Sequence, residues 1–266
     1  MTSASVQNEI LKGQVTLITR PEAQQNSLRA AIERQGGEWL SLPLLRIVPL
    51  TDSDLQAARQ HVQDLDNYDV LVFVSLNAAS LGAELITALW PQLPVQQSII
   101  AIGKSTAKLV ADLLACEVIC PEAGSDSEAV LAIPELQQLA DKRIGIFRGQ
   151  GGRELLAATL RERGASVDYI EVYKREQVQH DAADVAAFAA PDKIDAITVH
   201  SGESLHSLAG LLSTARKSIL AIPIVVPSAR VAKQAKQSGF KQVVNAHGAD
   251  DASMIKALER IHANAD

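Results

Sequence analysis

Five short stretches of this 266-residue chain combine small residues, hydroxyls and cations in a way that suits negatively charged ligands. They are Ser75-Leu76-Asn77, Gly103-Lys104-Ser105-Thr106, Gly149-Gln150-Gly151-Gly152-Arg153, Ser201-Gly202-Glu203 and Ser228-Ala229-Arg230. Each closes a short apolar run and opens an amphipathic one, which marks a step from strand to helix. The first N–H groups of a helix lack partners, and the helix dipole favours an anion there. Small residues let the backbone approach a ligand and hydroxyls donate hydrogen bonds. Lys104, Arg148, Arg153 and Arg230 add charge, and Arg20 follows an apolar run in the same manner. Any one such Ser or Thr is also an ordinary helix N-cap. Five cradles together suit a ligand with many carboxylates or phosphates.

Other chemistries leave no trace in the sequence. Gly149-Gln-Gly-Gly-Arg-Glu is not a dinucleotide fingerprint, because Glu154 stands at the last glycine position. The six histidines show no H-E-x-x-H or other metal-ligand spacing. His200 abuts Ser201, but strand neighbours point to opposite faces, which argues against a Ser–His nucleophile. Cys116 and Cys120 are too few for a disulfide scaffold. An enzyme built this way works by binding, orientation and a proton donor.

The elements that must position these residues occur twice. Thr16-Leu17-Ile18-Thr19-Arg20 and a helical run to Gly36 return as Ile144-Gly145-Ile146-Phe147-Arg148 and a helical run to Gly164. Asp69–Ser75 matches Asp195–Ser201. Ile100–Gly103 matches Val225–Pro227, and Gly124–Asp126 matches Gly248–Asp250. A duplicated α/β unit gives two similar lobes, and cleft-facing residues are then expected at equivalent positions in both.

Composition fits this architecture. Hydrophobic residues make up 47% of the chain but aromatics only 3%, so the core is aliphatic, as in parallel sheets covered by helices. Few aromatics and a net charge of −6 exclude base-stacking and duplex-binding modules. No apolar run reaches the ~18–20 residues of a membrane span. The residues up to Glu9 lack the pattern of a signal peptide, so a cytoplasmic location is expected. Ten candidate strands, five per lobe, suggest flavodoxin-like sheets. They include Trp39–Ile47 and Glu117–Cys120. Candidate helices include Pro21–Gln35, Asp126–Ile133, Gly152–Arg163 and Asp251–Asn264, with Asp126 and Asp250 as N-caps. Two segments, Trp39–Pro49 and Val167–Gln177, exceed the length a small sheet needs. Either could run from one lobe into the other. The residues alone leave a crossed and a tandem arrangement open.

One ordered set of motifs points to a family. Phe147-Arg148-Gly149-Gln150-Gly151-Gly152-Arg153-Glu154-Leu155-Leu156, then Leu160–Val167, then Val172-Tyr173-Lys174-Arg175, resembles uroporphyrinogen-III synthase. Thr19-Arg20-Pro21, Phe73–Ala78, Ala101–Ala107 and Thr198–Leu205 agree in order and spacing. The resemblance covers about residues 14–260. It implies two flavodoxin-like parallel-sheet domains joined by a two-stranded β-ladder, with the chain crossing between them twice. Residues 1–45 and 175–266 would then form one lobe, and 46–174 the other.

The resemblance also implies a reaction: hydroxymethylbilane cyclises to uroporphyrinogen III, with loss of water and inversion of ring D. The linear tetrapyrrole carries eight carboxylates. No cofactor is implied. The implied partners are this substrate and a transient hand-over from the preceding pathway enzyme, for a monomer that binds neither nucleic acid nor membrane. Tyr173 matches the Tyr of the family's V-Y motif and is the expected catalytic donor, assisting hydroxide loss. The substrate-binding set is Arg20, Ser75, Asn77, Gly103, Lys104, Ser105, Thr106, Arg148, Gly149, Gly152, Arg153, Ser201, Gly202, Ser228, Ala229 and Arg230. One loop departs from the family pattern, which has Gly and Thr where this chain has Pro227 and Arg230. The competing reading is a non-catalytic, two-lobed binding or regulatory protein for a polyanion, since fold does not fix function.

Overall fold

Short aliphatic runs and amphipathic stretches alternate along the chain, and in the computed structural model they become ten strands and nine α-helices among the described residues. Residues 9–94, 96–124, 126–152, 154–181, 193–212 and 217–263 are described. The first elements are β1 (Val15–Ile18), α1 (Asn26–Arg34), β2 (Glu38–Ser41), β3 (Leu45–Pro49), α2 (Asp52–Gln63) and β4 (Val70–Phe73). Next come α3 (Leu76–Leu89), β5 (Ser98–Ala101), α4 (Lys104–Leu114), α5 (Ser127–Leu131), β6 (Arg143–Gly149) and α6 (Leu155–Glu162). The last are β7 (Ser166–Gln177), β8 (Ala196–Thr198), α7 (Gly202–Leu212), β9 (Ile224–Val226), α8 (Ala229–Gln237), β10 (Val243–Asn245) and α9 (Asp251–His262). No helix among the described residues is long and apolar enough to cross a membrane.

The chain forms two units, Met1–Arg46 with Glu176–Asp266, and Ile47–Arg175. It therefore passes between them twice, once within β3 and once within β7. In the discontinuous unit, β10-β9-β8-β1-β2 form a parallel sheet. In the continuous unit the order is β3-β7-β6-β4-β5, with parallel pairing from β7 to β5. The Leu50 N–H donates to the Val172 carbonyl and the Val178 N–H to the Leu44 carbonyl, so β3 runs antiparallel to β7. Ile119 adds one parallel bridge on the free side of β5.

The duplication explains these orders. Starting from β6, the continuous unit reads β7-β6-β4-β5-Ile119, which repeats β2-β1-β8-β9-β10 position for position. Both follow the 2-1-3-4-5 order of a flavodoxin-like sheet. The matching helices bury matching residues: Leu28 and Ile32 of α1, Leu156 and Leu160 of α6. Gly36 and Gly164 end these helices. Asp126 and Asp250 cap α5 and α9 by accepting from the Ala129 and Ser253 N–H groups.

Some expected elements differ. Trp39–Ile47 is not one strand but parts of β2 and β3, because Pro43 in between lacks a donor and biases Leu42 away from regular pairing. Glu117–Cys120 contributes one bridge only and stops at Pro121. The run from Pro21 starts with a 3₁₀ turn, Glu22–Gln24, before α1. The helix expected from Gly152 begins at Leu155, since the Gly-rich stretch before it forms a loop.

In the continuous unit, helices cover the sheet on both faces. Ala78, Ala79 and Ile86 of α3 pack with Leu71, Phe73 and Phe147. Leu156, Ala157 and Leu160 of α6 pack on the other face with Val70, Val72, Ile144 and Ile146. Phe73 and Phe147 are register partners and stack at 4.5 Å between centroids. Gly82 admits α3 onto this stack, because a Cβ there would lie 2.6 Å from Phe147 Cδ1.

Candidate active site

In open parallel sheets, ligands bind outside the carboxyl ends of the strands, where neighbouring connections diverge to opposite faces. In the continuous unit that place lies between β6, which leads to α6, and β4, which leads to α3. Ser75 follows β4 and caps α3, its Oγ accepting from the Ala78 N–H at 3.1 Å. The same Oγ lies 3.1 Å from the Tyr173 hydroxyl. Tyr173 is on β7, with only 3% of its surface exposed. Gly149 ends β6 at a register shift and pairs with Tyr173. A Cβ on Gly149 would sit 2.6 Å from Tyr173 Cζ, so glycine is what lets the ring occupy this position. Arg175 Nη1 donates to the Tyr173 hydroxyl at 3.3 Å, and Nη2 donates to the Gln150 carbonyl at 3.1 Å. Arg175 thus fills an acceptor position on the phenol oxygen and leaves the phenol proton to be given to Ser75 or to a bound group.

The Gly-rich loop is held from within. Arg148 is buried, and its guanidinium donates to the Gly149 carbonyl at 3.2 Å and to the Gly151 carbonyl. It also pairs with Glu154 at 3.4 Å and lies 4.3 Å over the Tyr169 ring. The sequence places Arg148 on a ligand; in the fold its Nε and one N–H of each terminal nitrogen are engaged within the loop. It shapes the backbone that a ligand would meet. Glu154 is held below the usual carboxylate range, first by the Tyr169 hydroxyl. Gly151 and Gly152 adopt φ of +68° and +101°, a region that side chains disfavour. Arg153 lies outside the described residues.

The remaining expected residues of this unit follow β4 and its neighbour β5. Asn77 is in the first turn of α3. Gly103 caps α4, Lys104 and Ser105 are exposed at its start, and Thr106 is turned inward at 5% exposure.

The discontinuous unit repeats the plan with different partners. Ser201 caps α7, accepting from the Ser204 N–H at 3.0 Å, but its Oγ meets Ser204 Oγ where Ser75 meets a tyrosine. Arg20, after β1, forms a 2.6 Å ion pair with Asp251 at the start of α9. Ser228 caps α8 through the Val231 N–H at 3.4 Å. Ala229 is exposed and lines a surface groove with Lys233, Lys236 and Asn245. Arg230 and Gln234 pack over Gly202, where a Cβ would be 2.9 Å from Gln234 Oε1 and 3.3 Å from Arg230 Nη1.

His200, at the end of β8, has both ring nitrogens sealed from solvent without a hydrogen-bond partner. Burial first, then the nearby Arg20 charge, pushes its pKa down to about 3, so the imidazole is neutral.

Sequence reasoning missed Arg175 and Asp251 as site residues. Arg175 is two residues from Tyr173, hence on the same strand face, and that period was the available signal. Asp251 gave none, since its partner Arg20 is 231 positions away. Among the described residues, no cluster of His, Cys, Asp or Glu is arranged to hold a metal ion.

Comparisons with known proteins show which family the chain resembles. Residues 26–256 match the family model described as uroporphyrinogen-III synthase HemD. The uroporphyrinogen-III synthase of Escherichia coli (strain K12) is 30% identical over 248 residues, covering 91% of this chain and 99% of that protein. That of Salmonella typhimurium is 31% identical over 245 residues, with 91% and 99% covered. Among solved structures, a mutant uroporphyrinogen III synthase of Thermus thermophilus superposes with a TM-score of 0.62 at 17% identity, covering 95% of this chain and all of that one. At that identity the likeness speaks for the fold.

Proposed function

The chain belongs to the uroporphyrinogen-III synthase family, lyases of porphyrin biosynthesis that act on hydroxymethylbilane, and we propose how its own residues serve that reaction. The leaving hydroxyl of the linear tetrapyrrole departs as water, taking a proton from the Tyr173 phenol while the electron-rich pyrrole pushes. The resulting azafulvene cation is attacked by ring D at its substituted carbon, and the spiro intermediate rearranges to the inverted macrocycle. The chain's main task is to hold the rings so that this path outruns direct closure.

The observation that carries the reading is the Ser75–Tyr173 hydroxyl pair, set by Gly149 and braced by Arg175. Carboxylate arms of the substrate are bound by the backbone and hydroxyls at Ser75, Asn77, Gly103–Thr106, Gly149 and Gly152. Ser201, Gly202, Ser228, Ala229 and Arg230 do the same on the other sheet. Lys104 and Arg153 add charge, and Arg20 and Arg148 act by fixing their loops. The enzyme is taken to be a cytoplasmic monomer that receives its short-lived substrate from the enzyme that makes it.

The test is to supply hydroxymethylbilane generated enzymatically and to resolve the oxidised products by isomer. An excess of type III over the spontaneous type I product is expected. Type I alone would leave a non-catalytic binding protein as the reading.

A further inference from the structure

Among the described residues, four large hydrophobic side chains are substantially exposed: Leu76, Leu89, Leu113 and Leu155. A single exposed leucine is ordinary. Two of these occupy matching places, however. Leu76 is the first residue of α3 and Leu155 the first of α6, at 44% and 41% exposure. The two helices cover opposite faces of one sheet. They start from β4 and β6, which are adjacent and paired through Phe73 and Phe147. Leu76 and Leu155 therefore flank, from opposite sides, the strand ends that carry Ser75 and Gly149.

The duplication supplies an internal control. By the register that equates Ser75 with Ser201 and Arg148 with Arg20, the positions matching Leu76 and Leu155 are Gly202 and Ser27. Beside Leu155, two buried positions are preserved: Leu156 answers to Leu28, and Leu160 to Ile32. At the corresponding strand ends the discontinuous unit offers an ion-paired Arg20 and an Arg230 packed over Gly202. At the positions of Leu76 and Leu155 the continuous unit thus carries exposed leucines where its twin carries a glycine and a serine.

We propose, building on the synthase reading, that Leu76 and Leu155 are specificity-determining residues that grip the apolar faces of a pyrrole ring of hydroxymethylbilane. A pyrrole is a flat, apolar disc with a polar N–H edge. Two aliphatic side chains about such a disc restrict its rotation without competing for its hydrogen bonds. The ring is held beside the Tyr173 hydroxyl, where its orientation decides which carbon attacks. Leu76 and Leu155 are positioning residues, and the isomer outcome is the quantity they govern.

The experiment compares Leu76→Ser, Leu155→Ser and the double variant with Leu113→Ser, an exposed leucine at the far end of α4. All are surface changes, and unfolding midpoints check that each variant is folded. The double variant should raise KM about 10-fold, the order expected for losing apolar burial on binding. It should also raise the share of type I product, while Leu113→Ser matches the unaltered chain and Leu76→Met restores selectivity. If the Leu76 and Leu155 variants match Leu113→Ser in KM and isomer ratio, the assignment is wrong. If the unaltered chain itself yields type I alone, the synthase reading has failed and this assignment falls with it. That second outcome shows in the parent protein, before any substitution is compared.

Discussion

The hydroxyl oxygens of Ser75 and Tyr173 lie 3.1 Å apart although 98 positions separate them in the chain. Ser75 is fixed by its capping bond to the Ala78 N–H, and Tyr173 by packing and by Arg175. Neither hydroxyl is held by sequence neighbours alone, so the pair exists only when β4 and β7 are both in the sheet.

Replacing Tyr173 by Phe removes the donor and little else. Turnover with hydroxymethylbilane should fall by about 10²-fold, the low end of what a positioned acid contributes. Stability should change by about 1 kcal/mol, since one hydrogen bond is lost and the ring remains. Initial rates and urea midpoints measure the two effects separately. A fall in stability with unchanged turnover would reduce Tyr173 to a packing residue.

Gly149→Ala tests the placement of that ring. The new Cβ would overlap Tyr173 and drive the hydroxyl from Ser75. Activity should drop at least as far as in Tyr173→Phe. Combining the two changes should cost little more than either alone, because they act through one contact. Independent, multiplying effects in a double-mutant cycle would contradict this.

Gly82→Ala is expected to separate stability from chemistry. Its methyl meets the stacked Phe73 and Phe147, and overpacking of this kind costs about 1–3 kcal/mol. The melting temperature should fall while kcat, measured well below it, stays within about twofold of the unaltered chain.

His200 predicts a pH dependence of stability. Its folded pKa is pushed down to about 3 from an ordinary value of 6.5, so the unfolded chain takes up a proton that the folded chain refuses. Stability is unaffected above pH 6.5 and falls as pH drops towards 3, by up to about 1.4 kcal/mol per pH unit from this residue. Urea unfolding at pH 7 and pH 5 should show a loss about 2 kcal/mol smaller in His200→Asn than in the unaltered chain. Equal losses would mean that the imidazole is not kept neutral.

Much of the fold was readable because local signals recur. Arg20 and Arg148, Gly36 and Gly164, Ser75 and Ser201 mark the same steps in two copies, and capping by Asp126 and Asp250 follows from short-range chemistry. Features set by distant pairing were not readable. Nothing in the spacing shows that Arg148 also braces its own loop, because that depends on the turn that brings Gly151 and Glu154 back to it. The break at Pro43 was visible in principle, but the apolar residues on either side read as one strand. The Gly149–Tyr173 contact needed the register of β6 against β7, which no periodicity fixes.

The continuous unit is an insertion within the other, and this orders events as the polypeptide leaves the ribosome. Val15 at the start of β1 donates its N–H to Asp195, 180 positions later. At ~5–20 residues per second, β1 waits about 10–40 s for that neighbour. Residues 47–175 meet all their sheet partners sooner and can close first. Until residues 196–258 follow, Ile18 and Leu28 lack the later members of their core cluster, Ala196, Val225, Met254 and Leu258.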